Sequence, residues 1–187
     1  MGDSGVVDPG KNQGPALALN GDFHITVILK IGSRALLFRG LNTINLDAKG
    51  RMAMPARHRD TIDTHCQGHL VITIEEEGHS LVIYPLNEFE EIQRKVENLS
   101  SFHPVSKRLK RLFIGHATDV ELDGSGRILI PPALRTYVGL DKKAVLLGQG
   151  KKLELWDEET WNKNRELWLQ ETNNLSELSE ELQNLSL

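Results

Sequence analysis

Leu46-Asp47-Ala48-Lys49-Gly50-Arg51, followed by Met54-Pro55 and Arg59, is answered further along the chain by Leu122-Asp123-Gly124-Ser125-Gly126-Arg127, followed by Ile130-Pro131 and Arg135. Asp123 stands 76 positions after Asp47, and Leu, Asp, Gly, Arg, Pro and the second Arg recur at identical spacing. Six fixed positions in so short a window imply that a structural unit has been duplicated, and a repeat governs the reading of everything around it.

Outward from the first motif, Ile44 to Leu46 reads as a short strand, Asp47 to Gly50 as a turn and Arg51 to Met54 as a returning strand. Pro55 fits the first turn of a helix over Ala56 to Ile62. Leu70 to Ile74 and Leu81 to Tyr84 have strand composition, joined through Glu75 to His79. An amphipathic helix follows, with Asn87 as its N-cap, Glu88, Glu90 and Glu91 near the positive end of its dipole, and Phe89, Ile92, Val96 and Leu99 on one face. Pro104 opens a second helix, Val105 to His116. The second copy repeats the order: strands Val120 to Leu122 and Arg127 to Ile130, a helix Ala133 to Val138 after Pro131-Pro132, strands Ala144 to Leu147 and Leu153 to Trp156, and a helix Asp157 to Leu169. Tyr84-Pro85 and Trp156-Asp157 occupy equivalent places, so whole units are duplicated. Thr172 to Leu187 carries Leu175, Leu178, Leu182 and Leu185 at helical spacing among acids and amides, an amphipathic tail that is marginal as a helix unless it docks.

The chain has 187 residues, 39% hydrophobic and 26% charged, enough for a core without disulfides or metals. The single cysteine, Cys66, has no partner for an internal disulfide and suits a reducing cytoplasm. The longest apolar stretch, Phe23 to Phe38, is interrupted by His24, Lys30 and Arg34, too soon for a bilayer-crossing helix, and makes a poor signal peptide. A formal net charge of -4 excludes a generally basic nucleic-acid coat, so binding to an anionic polymer has to come from local clusters. Lys107, Arg108, Lys110 and Arg111 form one such cluster, which on a helix is more often a solvent face.

The repeated turn has a physical logic. Asp at its start can accept backbone N–H groups two or more residues on, and the glycine before the arginine supplies a positive-φ position. The arginine therefore leaves a stiff base, carrying a planar fork of donors that fits a carboxylate, a phosphate or the O6/N7 edge of guanine. Arg51 can pair with Asp47, and Arg127 with Asp123, simply to lock each turn; the same arginines can meet DNA, and the roles are compatible. Lys49 stands where the second copy has Ser125, so the two loops are chemically unequal.

Phe38 to Arg51 with Pro55 resembles the start of the MraZ family of bacterial transcription regulators. Gly115-His116-Ala117, Asp123 to Arg127, Gly148-Gln149 and Leu153 to Asp157 carry the likeness on to the C-terminus. The resemblance implies an α+β, mainly β protein: two tandem AbrB/MraZ-like swapped-hairpin units forming a β-barrel-like core with flanking helices. The expected division is 37–115 for the first unit, 116–170 for the second and 171–187 for the acidic tail. It implies sequence-specific binding of double-stranded DNA at short direct repeats upstream of the division and cell-wall gene cluster, by a ring-shaped homo-oligomer in the cytoplasm, at the nucleoid. Carried over by position, Lys49, Arg51, Arg127 and Arg39 are the DNA-binding candidates; Asp47, Gly50, Pro55, Asp123, Gly126 and Pro131 build the motif. Residues 1–36 precede the likeness and read as a disordered extension or, the preferred expectation, a start codon taken too far upstream.

Other chemistries find little support. His65-Cys66-Gln67-Gly68-His69 offers zinc-type donors without a second pair at suitable spacing. Gly124-Ser125-Gly126 lacks the flanking glycines of a nucleophile elbow. No Walker-type loop is present, and Glu75-Glu76-Glu77 reads as a solvated turn. The expectation is a DNA-binding protein that is not an enzyme, with no cofactor, metal, membrane or small-molecule substrate. The alternative from another class is an oligomeric interaction scaffold, its motifs structural and its basic helix and tail binding proteins.

Overall fold

A computed structural model of the chain describes residues 38–75 and 79–171. The expected N-terminal extension, the leucine-striped tail from Thr172 and the middle of the Glu75–His79 connection lie outside the described residues. Within them are β1 (Phe38–Asn45), β2 (Arg51–Ala53), α1 (Ala56–Cys66), β3 (His69–Ile74), β4 (Leu81–Pro85), α2 (Leu86–Glu97) and α3 (Pro104–Leu109), which runs into a π-helical turn (Lys110–Ile114). The second copy supplies β5 (Thr118–Glu121), β6 (Arg127–Leu129), α4 (Pro132–Tyr137), β7 (Lys143–Gly150), β8 (Lys152–Asp157) and α5 (Glu158–Glu171). Among these residues no helix is long and apolar enough to cross a membrane.

The returning strands do not fold back on their own partners. β2 leaves the turn and pairs antiparallel with β6, Met52 facing its own counterpart Ile128. The remaining strands form one antiparallel sheet in the order β1-β7-β8-β4-β3-β5. The first strand of each unit thus lies against the third strand of the other, β1 on β7 and β5 on β3. The sheet's centre pairs β4 with β8, where Val82 faces its counterpart Glu154. Each copy therefore completes the other about an approximate two-fold axis that passes by Met52/Ile128 and Val82/Glu154. Among the described residues β1 and β5 are the edges of an open sheet, and the closed, barrel-like core implied by the family resemblance is not found.

Alternation sorts the side chains. One sheet face turns Leu70, Ile72, Ile74, Leu81, Ile83, Ala144, Leu146, Leu153 and Leu155 into the main core, which Met52 and Ile128 of the ribbon and Ile62 and Leu134 of α1 and α4 cover. Burying an aliphatic side chain of this kind contributes about 1.5–3 kcal/mol, so this layer is the main source of stability. The other face carries two smaller clusters. Val71, Val82 and Tyr84 meet Phe89 and Val96 of α2 and Phe113 of the π turn, with Phe89 and Phe113 stacked at 5.4 Å. Val145 and Trp156 meet Trp161 of α5.

Proline marks the strand-to-helix corners. Pro55, Pro85 and Pro131 each take the N-cap position at φ near the proline optimum with extended ψ, and none of the three makes a side-chain cap bond. Pro55 thus stands just before the helix, not inside its first turn, and Asn87, expected as the cap of α2, is its second residue. Helix α1 runs on to Cys66, beyond the expected end at Ile62, its last turn facing the core with Ile62 and Cys66 buried. The helix expected over Val105 to His116 changes to π geometry at Lys110, and the buried Thr73 hydroxyl donates to the Phe113 carbonyl at 2.6 Å. Lys110 donates to the Glu97 and Leu99 carbonyls at 2.9 and 2.8 Å, closing the C-terminal end of α2.

Candidate nucleic-acid interface

The two loops are built atom for atom alike. Asp47 Oδ1 accepts the backbone N–H groups of Lys49 and Arg51 at 2.9 and 3.0 Å, while Oδ2 accepts Arg51 Nε and Nη2, both at 2.7 Å. Asp123 Oδ1 accepts Ser125 and Arg127 N–H at 2.9 Å each, and Oδ2 accepts Arg127 Nε at 3.0 Å and Nη2 at 2.9 Å. Gly50 and Gly126 close the turns at φ of 80° and 72°, in the left-handed region that glycine enters without strain. The backbone N–H of Arg51, and next its guanidinium, hold the Asp47 carboxyl down at about 2; Arg127 lowers Asp123 in the same way. Both carboxylates are therefore charged throughout the neutral range.

This is the turn-locking pairing that the residue types allowed, and it does not use up the arginines. Each aspartate engages the Nε–Nη2 side of the guanidinium; the donors of Nη1 take no part. The end-on edge, Nη1 with the second Nη2 hydrogen, keeps the fork geometry that suits a guanine edge or a phosphate.

Strand alternation places both arginines on one surface. In the β2–β6 ribbon Arg51 lies opposite Leu129 and Arg127 opposite Ala53. Met52 and Ile128 point into the core, so Arg51, Ala53, Arg127 and Leu129 share the outer face. Lys49, exposed at the tip of the first loop, adds a cation with no equivalent at Ser125. Leu129, 48% exposed, gives the Arg51 end of the ribbon an apolar neighbour where the Arg127 end has only Ala53.

A second pair of arginines supports the loops from beneath. Gly50 accepts the Ile130 N–H at 3.0 Å on its carbonyl, and Gly126 accepts that of Met54 at 2.9 Å. Arg135 Nε donates to the Ile130 carbonyl at 3.2 Å and Arg59 Nε to that of Met54 at 2.7 Å. Each guanidinium lies against the glycine of the other copy: a Cβ on Gly50 would come within 2.5 Å of Arg135 Cζ, and one on Gly126 within 2.5 Å of Arg59 Cζ. Arg59 and Arg135 were visible in the sequence as the last members of the repeat, but only the fold shows that they reach across it.

The remaining candidates lie elsewhere. Arg39 is exposed near the start of β1, opposite Gln149, on the sheet face away from the core and the ribbon. Six strand residues separate it from the end of β1, about 20 Å. The basic segment Lys107 to Arg111 packs through Leu109 and Phe113 on the face opposite the ribbon. Cys66 is buried, its thiol pushed up by burial, and donates to the Ile62 carbonyl at 3.1 Å; among the described residues no three metal-ligating side chains cluster.

Comparison with known proteins agrees with the internal symmetry. A family model described as "MraZ protein" and antitoxin-like matches residues 37–112 and again 113–184, one match for each copy of the loop. The chain belongs to the MraZ family. A protein of Halorhodospira halophila named transcriptional regulator MraZ is 54% identical over 152 residues, 81% of this chain and 100% of that one. A Coxiella burnetii protein of the same name matches with the same identity and coverage. A Pseudomonas putida MraZ is 54% identical over 126 residues, 67% of this chain and 83% of its own. The solution structure of PHS018 from Pyrococcus horikoshii is 15% identical over 64% of this chain and 88% of that one, with a TM-score of 0.29, too slight a likeness to build on. In MraZ terms, then, the Asp47–Arg51 and Asp123–Arg127 loops are the same element of two family repeats held in one chain.

Proposed function

We propose that this chain is a transcription regulator that binds double-stranded DNA sequence-specifically through the β2–β6 ribbon and its two loops, without catalysis. The observation that carries this reading is the pair of half-buried arginines on the outer face of the ribbon, each fixed by its own aspartate through Nε and Nη2, so that the lock leaves the Nη1 donors unused. A two-stranded ribbon fits the major groove, where an arginine can take guanine O6 and N7 bidentately. Lys49 and Ser125, at the loop tips, meet phosphates or follow the groove wall, and Lys49 supplies the stronger contact. Arg39, on the other side of the sheet, is not part of this contact.

One chain offers two arginines, which is little for selectivity. Short direct repeats in a promoter, met by several subunits of a ring-shaped homo-oligomer, multiply it through effective concentration. In this reading its targets lie upstream of the division and cell-wall gene cluster and it works in the cytoplasm, at the nucleoid; the family resemblance supports both.

The test is Arg51→Ala and Arg127→Ala on a repeat-bearing duplex and a scrambled one. Loss of a bidentate arginine–guanine contact is worth about 1–3 kcal/mol of discrimination. Unchanged preference between the two duplexes in both variants rejects base reading, and equal weakening on both leaves the arginines as phosphate contacts. An interaction scaffold is the second reading, favoured by Phe102, 94% exposed, and its neighbour Val105, 53% exposed, beside the basic segment. A wild-type chain that shifts no duplex at any salt concentration selects that reading, because phosphate-based binding strengthens as salt falls.

A further inference from the structure

We propose that Arg59 and Arg135 are crossed positioning residues: Arg135 of the second copy holds the Lys49–Arg51 loop, and Arg59 of the first holds the Ser125–Arg127 loop. The proposal deepens the DNA-binding reading and rests on it for its functional half.

The geometry is a closed circuit made twice. Gly50 O accepts from Ile130 N–H, the Ile130 carbonyl accepts from Arg135 Nε, and the Arg135 guanidinium returns to lie against the Gly50 Cα. Gly126 O accepts from Met54 N–H, the Met54 carbonyl accepts from Arg59 Nε, and that guanidinium lies against the Gly126 Cα. Arg59 and Arg135 are each the fourth residue of their helix, so the same helical turn braces the opposite loop in both directions.

Glycine is required here for two separate reasons. The backbone needs a positive φ, and the guanidinium occupies the space a side chain would take. A planar, delocalised cation fits that flat slot and keeps its Nε bond; lysine would keep the charge and lose both the plane and the fork. Gly50 directly precedes Arg51, and Gly126 directly precedes Arg127. A shift of the glycine therefore moves the base of the reading arginine, and recognition geometry tolerates displacements of only about 0.5 Å. The consequence is that neither loop is set by its own copy. A change in α4 is felt at the Lys49–Arg51 loop and a change in α1 at the Ser125–Arg127 loop.

The experiment uses the full chain. Hydrogen exchange without DNA is followed at residues 47–51 and 123–127 in Arg135→Lys and Arg59→Lys. The expected pattern is crossed: Arg135→Lys speeds exchange at 47–51 by about tenfold, leaving 123–127 unchanged, and Arg59→Lys does the reverse. A variant that loosens its own copy's loop, or both loops equally, overturns the proposal. Should the lysine variants unfold, Gly50→Ala provides the second route. Its destabilisation is expected to be smaller in an Arg135→Ala background than alone and unchanged in an Arg59→Ala background; additivity with both overturns the crossing. For the functional half, affinity for a repeat-bearing duplex is measured for Arg135→Lys, Arg51→Ala and the double variant. A loss of about tenfold that vanishes once Arg51 is gone identifies a positioning residue, whereas additive losses identify a direct DNA contact and overturn it. A wild-type chain that shifts no duplex rejects the DNA reading itself, and the exchange pattern, measured without DNA, still decides the bracing.

Discussion

At the ribbon the two copies share one framework: Met52 faces Ile128, the aspartate locks repeat bond for bond, and each glycine is backed by the other copy's arginine. On the opposite sheet face the copies have parted. Val82 lies in an aromatic pocket under α2 and the π turn, whereas its counterpart Glu154 accepts Trp156 Nε1 at 3.2 Å and Gln149 Nε2 at 3.0 Å and pairs with Lys152 at 3.0 Å. Among the described residues the first copy covers its outer face with two helical segments and the second with one. Val82 and Glu154 face each other across the two-fold axis just as Met52 and Ile128 do. The shared core, not the axis, therefore constrains both copies at once: a change at Met52 or Ile128 alters the same interior. Outward-facing positions answer only to their own surroundings, so chemistry can diverge there.

The hardest test of this contrast is at the ribbon. Met52→Ala and Ile128→Ala each remove a side chain at or near zero exposure from the shared core, and each is expected to cost about 2–5 kcal/mol. Chemical denaturation of both variants should give matched losses within the scatter of such substitutions. A large loss from one and almost none from the other breaks the symmetry claimed for the ribbon.

Glu154→Val gives the second copy the residue of the first. It strips a partner from Trp156 Nε1, Gln149 and Lys152, and groups left unsatisfied in a buried site cost about 1–3 kcal/mol. Burial alone would lower the Lys152 ammonium, but the Glu154 hydrogen bond and charge outweigh it and leave it raised. A raised lysine adds stability below its ordinary value of 10.5 that disappears as pH climbs through the folded value. The wild-type chain should thus lose stability in strong alkali faster than Glu154→Val does. Parallel alkaline melts for the two chains would show that the pair has no such role.

How much of this could be read beforehand follows the same division. The repeat, the aspartate-locked turns and most of the inward face of α2 were legible because each depends on neighbours within a few residues; Leu99, expected on that face, lies past the end of the helix and is 40% exposed. The pairing of β2 with β6 and of β1 with β7 was not legible from spacing, because alternation says which face a strand buries and not which strand lies beside it. Only the family resemblance implied a swap. Glu154 escaped notice because an isolated glutamate in a strand gives no sign of the tryptophan and lysine that satisfy it. Arg59 and Arg135 recur in the repeat, but reaching the other copy's glycine is a property of the interlocked fold.

Acid offers a comparison of the loops themselves. Arg51's backbone N–H and guanidinium depress Asp47 from 3.8 to about 2, and Arg127 depresses Asp123 likewise. A depressed carboxyl contributes stability above its ordinary value that is lost as pH falls through the folded one. Both turn locks should hold through the ordinary carboxylate range: Asp47 should let go only near pH 2 and Asp123 only below its ordinary 3.8, which carbon-detected titration of the two side chains can follow. Release of one lock well above the other would mean that the loops, alike in geometry, differ in their electrostatic support.

The smallest expected effect bears most directly on how the loops share the work. With identical backbones and locks, the loops differ at their tips by Ala48-Lys49 against Gly124-Ser125. If Lys49 contacts one phosphate, Lys49→Ser removes one released counterion, lowering the salt slope of binding by about 1 and affinity by about fivefold at physiological salt, equally for cognate and scrambled duplexes. Ser125→Lys should raise the slope by a similar amount only if the second loop also lies along the backbone. An increase would show that both loops track DNA and that the asymmetry lies in a single charge. If the slope stays flat while Lys49→Ser reduces it, the second loop stands away from the phosphates, and its aspartate lock serves the ribbon by holding Gly126 where Arg59 can brace it.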